Sequence, residues 1–243
     1  MQRSILLISS SSVAGNGYFN AFEETVKTFL KDIPEILFVP YSADKSNWDN
    51  YTQKVKERFR LFGIGVKGIH KSGNKIDNSN AIFVGGGNSF RLLTHLQQFD
   101  LLSKINDAVL NKGLRYIGSS AGSNVACKTI CTTNDMPIVY PPDGFDAIGL
   151  VPFQINPHYV DPDPHSTHMG ETRDKRIMEF HETYATPVIG LREGAFLQIS
   201  DAYFSSQKIL LRGTNGAKFF FRGKEPIDIR DAGEITITDH NVS

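Results

Sequence analysis

Strand-length apolar runs alternate with helix-period patterns over the first two thirds of the chain, which restricts the fold to a parallel sheet covered on both faces. The strand-like runs are Ile5 to Ile8, Ile36 to Val39, Gly65 to His70, Ala81 to Val84 and one centred on Tyr116. Between them, Tyr18 to Leu30 carries Phe19, Phe22, Val26 and Leu30 at helical spacing. Asn50 to Phe62 reads as a charged amphipathic helix, and further helices are expected from Ser89 and over about Leu101 to Asn111. After Thr129 the rhythm breaks. Residues 132 to 170 are rich in Pro, Asp and His and read as long loops above the sheet, followed by a helix over about Arg173 to Glu182 and a strand from Val188 to Leu191. From Ala195 to about Thr238 the pattern alternates, with turn signals at Gly213 to Gly216 and at Gly223, so antiparallel strands are expected at one edge of the sheet. The expectation is a single α/β domain over residues 1–243: a mostly parallel sheet, helices on both faces and C-terminal antiparallel strands.

The bulk numbers exclude several function classes. With 26 basic and 26 acidic residues among 243, the chain lacks the basic footprint of a nucleic-acid binder. No apolar run approaches the roughly 20 residues of a membrane helix. The N-terminus has one positive charge and a short apolar run, so it reads as a first strand rather than a signal peptide. Cys127 and Cys131, without an export signal, are expected to be packed or free thiols, which points to the cytoplasm. The oligomeric state stays open, a homodimer included.

Chemistry concentrates at Arg115-Tyr116-Ile117-Gly118-Ser119-Ser120-Ala121-Gly122-Ser123-Asn124. A short apolar strand here runs into a Gly-x-Ser-x-Gly turn and then a helix. Such a turn exposes the serine hydroxyl above the sheet and frees the next N–H at the helix start. Ser120 is therefore the candidate nucleophile. In parallel sheets ligands bind beyond the carboxyl ends of the strands. Three more polar features follow predicted strands and should share that rim: Gly85-Gly86-Gly87-Asn88, Asn156-Pro157-His158 and Arg192-Glu193-Gly194.

The glycine triplet lacks both the P-loop and the dinucleotide fingerprints, since Phe90 stands where a third fingerprint glycine belongs. It reads either as a tight turn or as a source of N–H donors for an oxyanion beside Ser120. A serine needs a base, and the base an orienting acid. His70, His95, His181 and His240 fall in or beside regular elements or the tail. His158, in an Asn-Pro-His turn after a strand-like run, is the best base. Glu193, ending a buried-looking strand, and Asp135, in Thr132-Thr133-Asn134-Asp135-Met136-Pro137, are both candidate acids; the plainer reading of Asp135 is an Asx turn before Pro137. A rival metal site would use His158, Asp161, Asp163, His165 and His168, but their spacing matches no standard zinc pattern. No metal or other cofactor is expected.

Four motifs in order, Gly118 to Asn124, Thr132 to Pro137, Gln154-Ile155-Asn156-Pro157-His158 and Gly170-Glu171-Thr172-Arg173, resemble the peptidase E (α-aspartyl dipeptidase) family. The resemblance runs from the first strand to the strand after Glu193 and is loosest beyond about Ser200. It implies a flavodoxin-like sheet related to class I glutamine amidotransferases, and a serine peptidase acting on short peptides with an N-terminal aspartate. It places the nucleophile at Ser120, the base at His158 and the triad acid at Glu193, with Asp135 matching an aspartate also assigned to the charge relay. Gly87 and Ala121 match oxyanion-hole donors, and Arg173 an arginine that holds the substrate's aspartate side chain. Asn88 joins Arg173 as a substrate-binding candidate. A guanidinium suits that task, since it binds a carboxylate bidentately; the plainer reading is a solvated residue opening a charged helix. Ser119 and a slightly longer loop at Tyr140 to Asp143 depart from the pattern and bear on pocket shape rather than chemistry. Two alternatives remain: a cyanophycinase-like peptidase, which shares the serine turn, and a catalytically silent binding module on the same sheet.

Overall fold

A computed structural model describes residues 3–76, 78–165, 167, 169–202, 206–238 and 240–243. Five strands, β1 (Ser4–Ile8), β2 (Glu35–Val39), β3 (Gly65–Gly68), β4 (Ala81–Val84) and β5 (Arg115–Ser119), pair in parallel in the order β3-β2-β4-β5-β1. Every residue of β4, and all of β1 after Ser4, is buried. Continuous apolar runs are what a parallel sheet covered on both faces requires.

On one face, α1 (Glu23–Phe29) and α2 (Trp48–Arg60) bring Val26, Val55 and Phe59 against Leu6, Phe38 and Phe83. On the other, α3 (Ser89–Gln98) and α4 (Leu102–Asn111) bring Leu92, Leu96 and Ile105 against Ile5, Leu7 and Val84. The strand order is that of flavodoxin read from β2, with β1 in fifth place. The chain leaves β2 outward to β3 and returns to β4, so the topological switch point lies between the carboxyl ends of β2 and β4.

The remaining elements are α5 (Ala121–Asn124), β6 (Gln154–Tyr159), α6 (Arg173–Thr183), β7 (Val188–Arg192), β8 (Ala195–Ala202), β9 (Ser206–Gly213), β10 (Ala217–Phe220), β11 (Ile227–Ile229) and β12 (Gly233–Ile235). Here the structure corrects the sequence reading. The tail does not all extend one edge: β8, β9 and β12 add antiparallel strands beside β1, while β10 and β11 join β7 and β6 in a second sheet. That sheet has the order β11-β10-β7-β6 and shares a core with the first through Ile155, Ile189 and Leu191. An alternating pattern identifies a strand but not its partner.

Three local differences have simple causes. Phe19 takes a left-handed backbone with φ 59°, so the first helix is a single 3₁₀ turn over Asn20–Phe22 before α1, although Phe19, Phe22, Val26 and Leu30 are all buried as expected. The third strand ends at Gly68 and continues as a 3₁₀ turn. Finally, Asn156-Pro157-His158 is no turn: it lies inside β6, within the stretch expected to be loop. No helix among the described residues is long and apolar enough to cross a membrane.

Candidate active site

The Gly-x-Ser-x-Gly spacing has a direct steric explanation. A Cβ at Gly118 would stand 2.5 Å from the carbonyl oxygen of Gly122, and one at Gly122 would stand 2.0 Å from that of Val84. Only hydrogen at both positions lets α5 begin in contact with β5 and β4. The Tyr116 hydroxyl then donates to the Gly122 carbonyl at 2.6 Å, and Ser120 N–H to the Ile8 carbonyl at 3.0 Å. The reversal forces Ser120 to φ 52°, ψ −113°, an uncommon backbone for a residue with a side chain.

His158 is also at φ 52°. In the β6–β7 ladder Pro157 faces Leu191 and Tyr159 faces Arg192, so His158 is the extra residue of a bulge. Its N–H, lost to the ladder, donates to Ser9 Oγ at 2.9 Å, and that hydroxyl donates to the Leu191 carbonyl at 2.7 Å. Ser9, fully buried at the end of β1, thus ties the bulge to both sheets.

Ser120, His158 and Glu193 meet in one hydrogen-bonded line. His158 Nε2 lies 2.8 Å from Ser120 Oγ, and His158 Nδ1 lies 2.6 Å from Glu193 Oε1. With a carboxylate on Nδ1, that nitrogen carries the proton and Nε2 is free to accept one. Glu193 stands in the tight turn between β7 and β8. The turn is held by Asn215, whose amide donates to the Glu193 carbonyl at 2.9 Å. Beside it, Arg192 binds both oxygens of Asp161, at 2.8 and 2.7 Å.

A scan against family models matches residues 5–206 to peptidase family S51. The chain belongs to that family. It is 44% identical over 235 residues to peptidase E of Streptomyces coelicolor, covering 96% of this chain and 93% of that one. A Drosophila melanogaster protein named probable alpha-aspartyl dipeptidase is 44% identical over 223 residues, 90% of each chain. Among solved structures, a peptidase from an acI-B1 actinobacterium superposes with a TM-score of 0.68, at 16% identity and 98% coverage of both chains, which is a likeness of fold.

In this S51 peptidase the other predicted residues are placed as follows. Asp135 is not on the imidazole, nor in an Asx turn before Pro137. Its Oδ2 accepts the N–H of Ser89, the first residue of α3, at 2.7 Å, and the Thr133 hydroxyl at 3.2 Å. Asn88 caps the same helix, accepting Arg91 N–H at 3.0 Å while its amide donates to the Met136 carbonyl at 2.9 Å. Asn134 and Asn156 sew this segment to β6: Asn134 donates to the Pro157 carbonyl at 2.6 Å, and Asn156 to Asn134 Oδ1 at 2.7 Å.

Gly87 has φ 140°, and a Cβ there would meet Ser42 at 2.8 Å. Gly86 packs against Ser120, whose Cβ would lie 3.0 Å from an added one. Ala121 N–H, in the first turn of α5, has no partner within the helix.

Arg173 opens α6 and lines a cavity of about 400 Å³ with Val160, Asp161, Gly170, Glu171 and Arg176. Burial and the neighbouring Arg176 lower its pKa, opposed by the Asp135 carboxylate. The next residue, Asp174, anchors the helix to the second sheet by accepting from Tyr159 Oη and from Lys218 Nζ.

The rival metal residues have other partners. His158 is in the line with Ser120, Asp161 is paired with Arg192 and Arg230, and Asp163 accepts the N–H of His165. His168 lies outside the described residues. Among the described residues no group of three or more His, Cys, Asp or Glu is arranged to hold a metal.

Three polar residues at the site escaped the sequence reading. Ser9 and Ser42 follow β1 and β2 at the same rim, so the strand-end rule that gathered His158 and Glu193 would have found them. Tyr51, in the first turn of α2, carries no such signal.

Proposed function

We propose that this serine peptidase hydrolyses the bond after an N-terminal aspartate in dipeptides and other short peptides, through an acyl-enzyme on Ser120. The observation that carries the reading is the line Ser120 Oγ–His158–Glu193, with contacts of 2.8 and 2.6 Å. As Ser120 Oγ attacks the scissile carbonyl, His158 Nε2 takes its proton, and Glu193 keeps the imidazole in the required tautomer and balances its charge. The N–H groups of Gly87 and Ala121 receive the oxyanion of the tetrahedral intermediate. His158 then protonates the leaving amine, and the C–N bond breaks. In the second half His158 deprotonates a water that attacks the ester, returning Ser120 and releasing aspartate.

Glu193 takes the triad acid role on the strength of its contact with Nδ1. Asp135 acts by placement, holding the start of α3 against the pocket. Arg173 takes the substrate's β-carboxylate bidentately, and its partial burial makes that contact stronger than a surface pair. Asn88 is the second substrate-binding residue of this reading, its amide retaining one N–H beyond the bond to Met136. The aspartate preference is supported by the chemistry of Arg173 and by the name of the Drosophila relative. The free thiols Cys127 and Cys131 favour a cytoplasmic location. The core shared by the two sheets favours one domain over residues 1–243.

The test is hydrolysis of Asp-Leu against Ala-Leu, Glu-Leu and Asn-Leu, with Ser120→Ala and Arg173→Ala in parallel. Cleavage of Asp-Leu alone is expected, abolished in the first variant and stripped of its preference in the second. Turnover in folded Ser120→Ala would end the mechanism, and an unchanged preference in Arg173→Ala would remove that residue from the pocket. Gel filtration with light scattering decides between monomer and homodimer.

A further inference from the structure

We propose that Ser42 and Tyr51 set the oxyanion hole by clamping the carbonyl of Gly86, an inference that rests on Gly87 N–H being one of its donors. The carbonyl of Gly86 and the N–H of Gly87 belong to one planar trans unit, so they point in opposite directions and holding one aims the other. The carbonyl accepts from two hydroxyls on different elements: Ser42 Oγ, just past β2, and Tyr51 Oη, from α2, the latter at 3.1 Å.

Such a clamp answers a specific weakness. Gly85, Gly86 and Gly87 have no side chains to hold their peptides, and a glycine run rotates its peptide planes more easily than any other sequence. A flip of the Gly86–Gly87 unit would exchange the donor's direction for the carbonyl's and leave the oxyanion facing a negative dipole. Ser42 also brackets the turn from outside: its carbonyl accepts Asn88 N–H at 3.2 Å, and its side chain occupies the space a Cβ at Gly87 would need.

Tyr51 is held edge-on against Phe38, ring centroids 4.9 Å apart, which fixes the reach of its hydroxyl. Burial pushes its phenol up to about 12, so it stays an O–H donor at neutral pH. An amide whose oxygen accepts two hydrogen bonds is also a more polarised N–H donor. Their hydroxyls bond the Gly86 carbonyl and not Ser120 or His158, so both are positioning residues.

The variants that test this are Ser42→Ala, Tyr51→Phe and the double variant, assayed on Asp-Leu beside wild type and Ser120→Ala. The inhibition constants of an aspartyl aldehyde, which forms a tetrahedral adduct, and of free aspartate, which does not, complete the set. We expect kcat to fall roughly tenfold in each single variant, less than the loss of a donor itself, and roughly 100-fold in the double one, near the lower end of such a loss. KM should stay within about twofold, since ground-state binding is untouched. Aldehyde affinity should fall by the same factor as kcat, with aspartate affinity unchanged.

Unchanged kcat in the folded variants overturns the proposal, as does a parallel loss of aspartate affinity, which would mean general disorder. Should Ser42→Ala fail to fold, Tyr51→Phe, which removes one oxygen and keeps the ring, decides by itself. An inactive wild type, or an active Ser120→Ala, overturns the underlying reading and the clamp with it. Normal kcat in Ser42→Ala and Tyr51→Phe, with wild type active and Ser120→Ala dead, overturns the clamp alone.

Discussion

Ser120 and His158 share the same uncommon positive φ, 52° in each, yet they reach it by opposite routes. The turn at Ser120 is made by its own neighbours. Gly118 and Gly122 remove the two Cβ atoms that would keep α5 off the sheet, and the strand-to-helix reversal then leaves Ser120 no other conformation. The bulge at His158 is made by distant residues. Pro157 and Tyr159 stay in register with Leu191 and Arg192, and the stranded N–H of His158 is taken by Ser9, 149 positions away in sequence. One half of the hydrogen-bonded pair is held by local sterics, the other by a tertiary hydrogen bond. Steric exclusion is the harder constraint, because a carbonyl 2.0 Å from a would-be Cβ cannot be accommodated, whereas a missing hydroxyl can be replaced in part by water.

The largest effect is expected from removing the proposed nucleophile without disturbing either constraint. Ser120→Ala should lower kcat by roughly 10⁴- to 10⁶-fold. Thermal unfolding of that variant should match wild type, since the one hydrogen bond it loses, to the partly exposed His158 ring, can pass to water; a large loss of stability would mean that the Ser120 side chain helps hold the turn.

Gly122→Ala breaks the local route. Its methyl group meets the Val84 carbonyl, so stability should fall by roughly 3 kcal/mol and activity should vanish with the displaced α5. Denaturant unfolding measures the first and the Asp-Leu assay the second. A stable, active Gly122→Ala would show that α5 can shift away and that the glycine spacing is not what aims Ser120.

Ser9→Ala breaks the distant route and should do less. Leaving the His158 N–H and the Leu191 carbonyl unpaired costs about 1–3 kcal/mol. The loosened imidazole should lower kcat roughly 10- to 100-fold, with KM for Asp-Leu nearly unchanged. If Ser9→Ala lost as much activity as Ser120→Ala, the bulge would depend on that one hydroxyl and the contrast between the two routes would fail.

What was legible in the sequence follows the same division. Ser120 was readable because its geometry is written in adjacent letters. His158 and Glu193 were readable because they follow strands whose ends share a rim, although His158 was expected in a turn and stands in a bulged strand. Asp135 could not be assigned from sequence, since a carboxylate in a loop suits an imidazole and a helix N-terminus equally well. Its position against Ser89 N–H is a matter of how α3 approaches the 132–136 segment. The tail was readable as strands and unreadable as pairings, which is why β10 and β11 were expected at the wrong edge.

By itself, the sequence determined the order of strands and helices, the apolar faces that bury the sheet, and the turn that presents Ser120, because each is set by residues within one or two helical turns of one another. The tertiary structure alone decided which carboxylate meets the imidazole, which hydroxyl holds the bulge, and which two hydroxyls grip the carbonyl of Gly86. Those are contacts between chain segments brought together from far apart. A hydrogen bond between such segments depends on tenths of an ångström in the packing of whole elements, and no short stretch of sequence carries that distance.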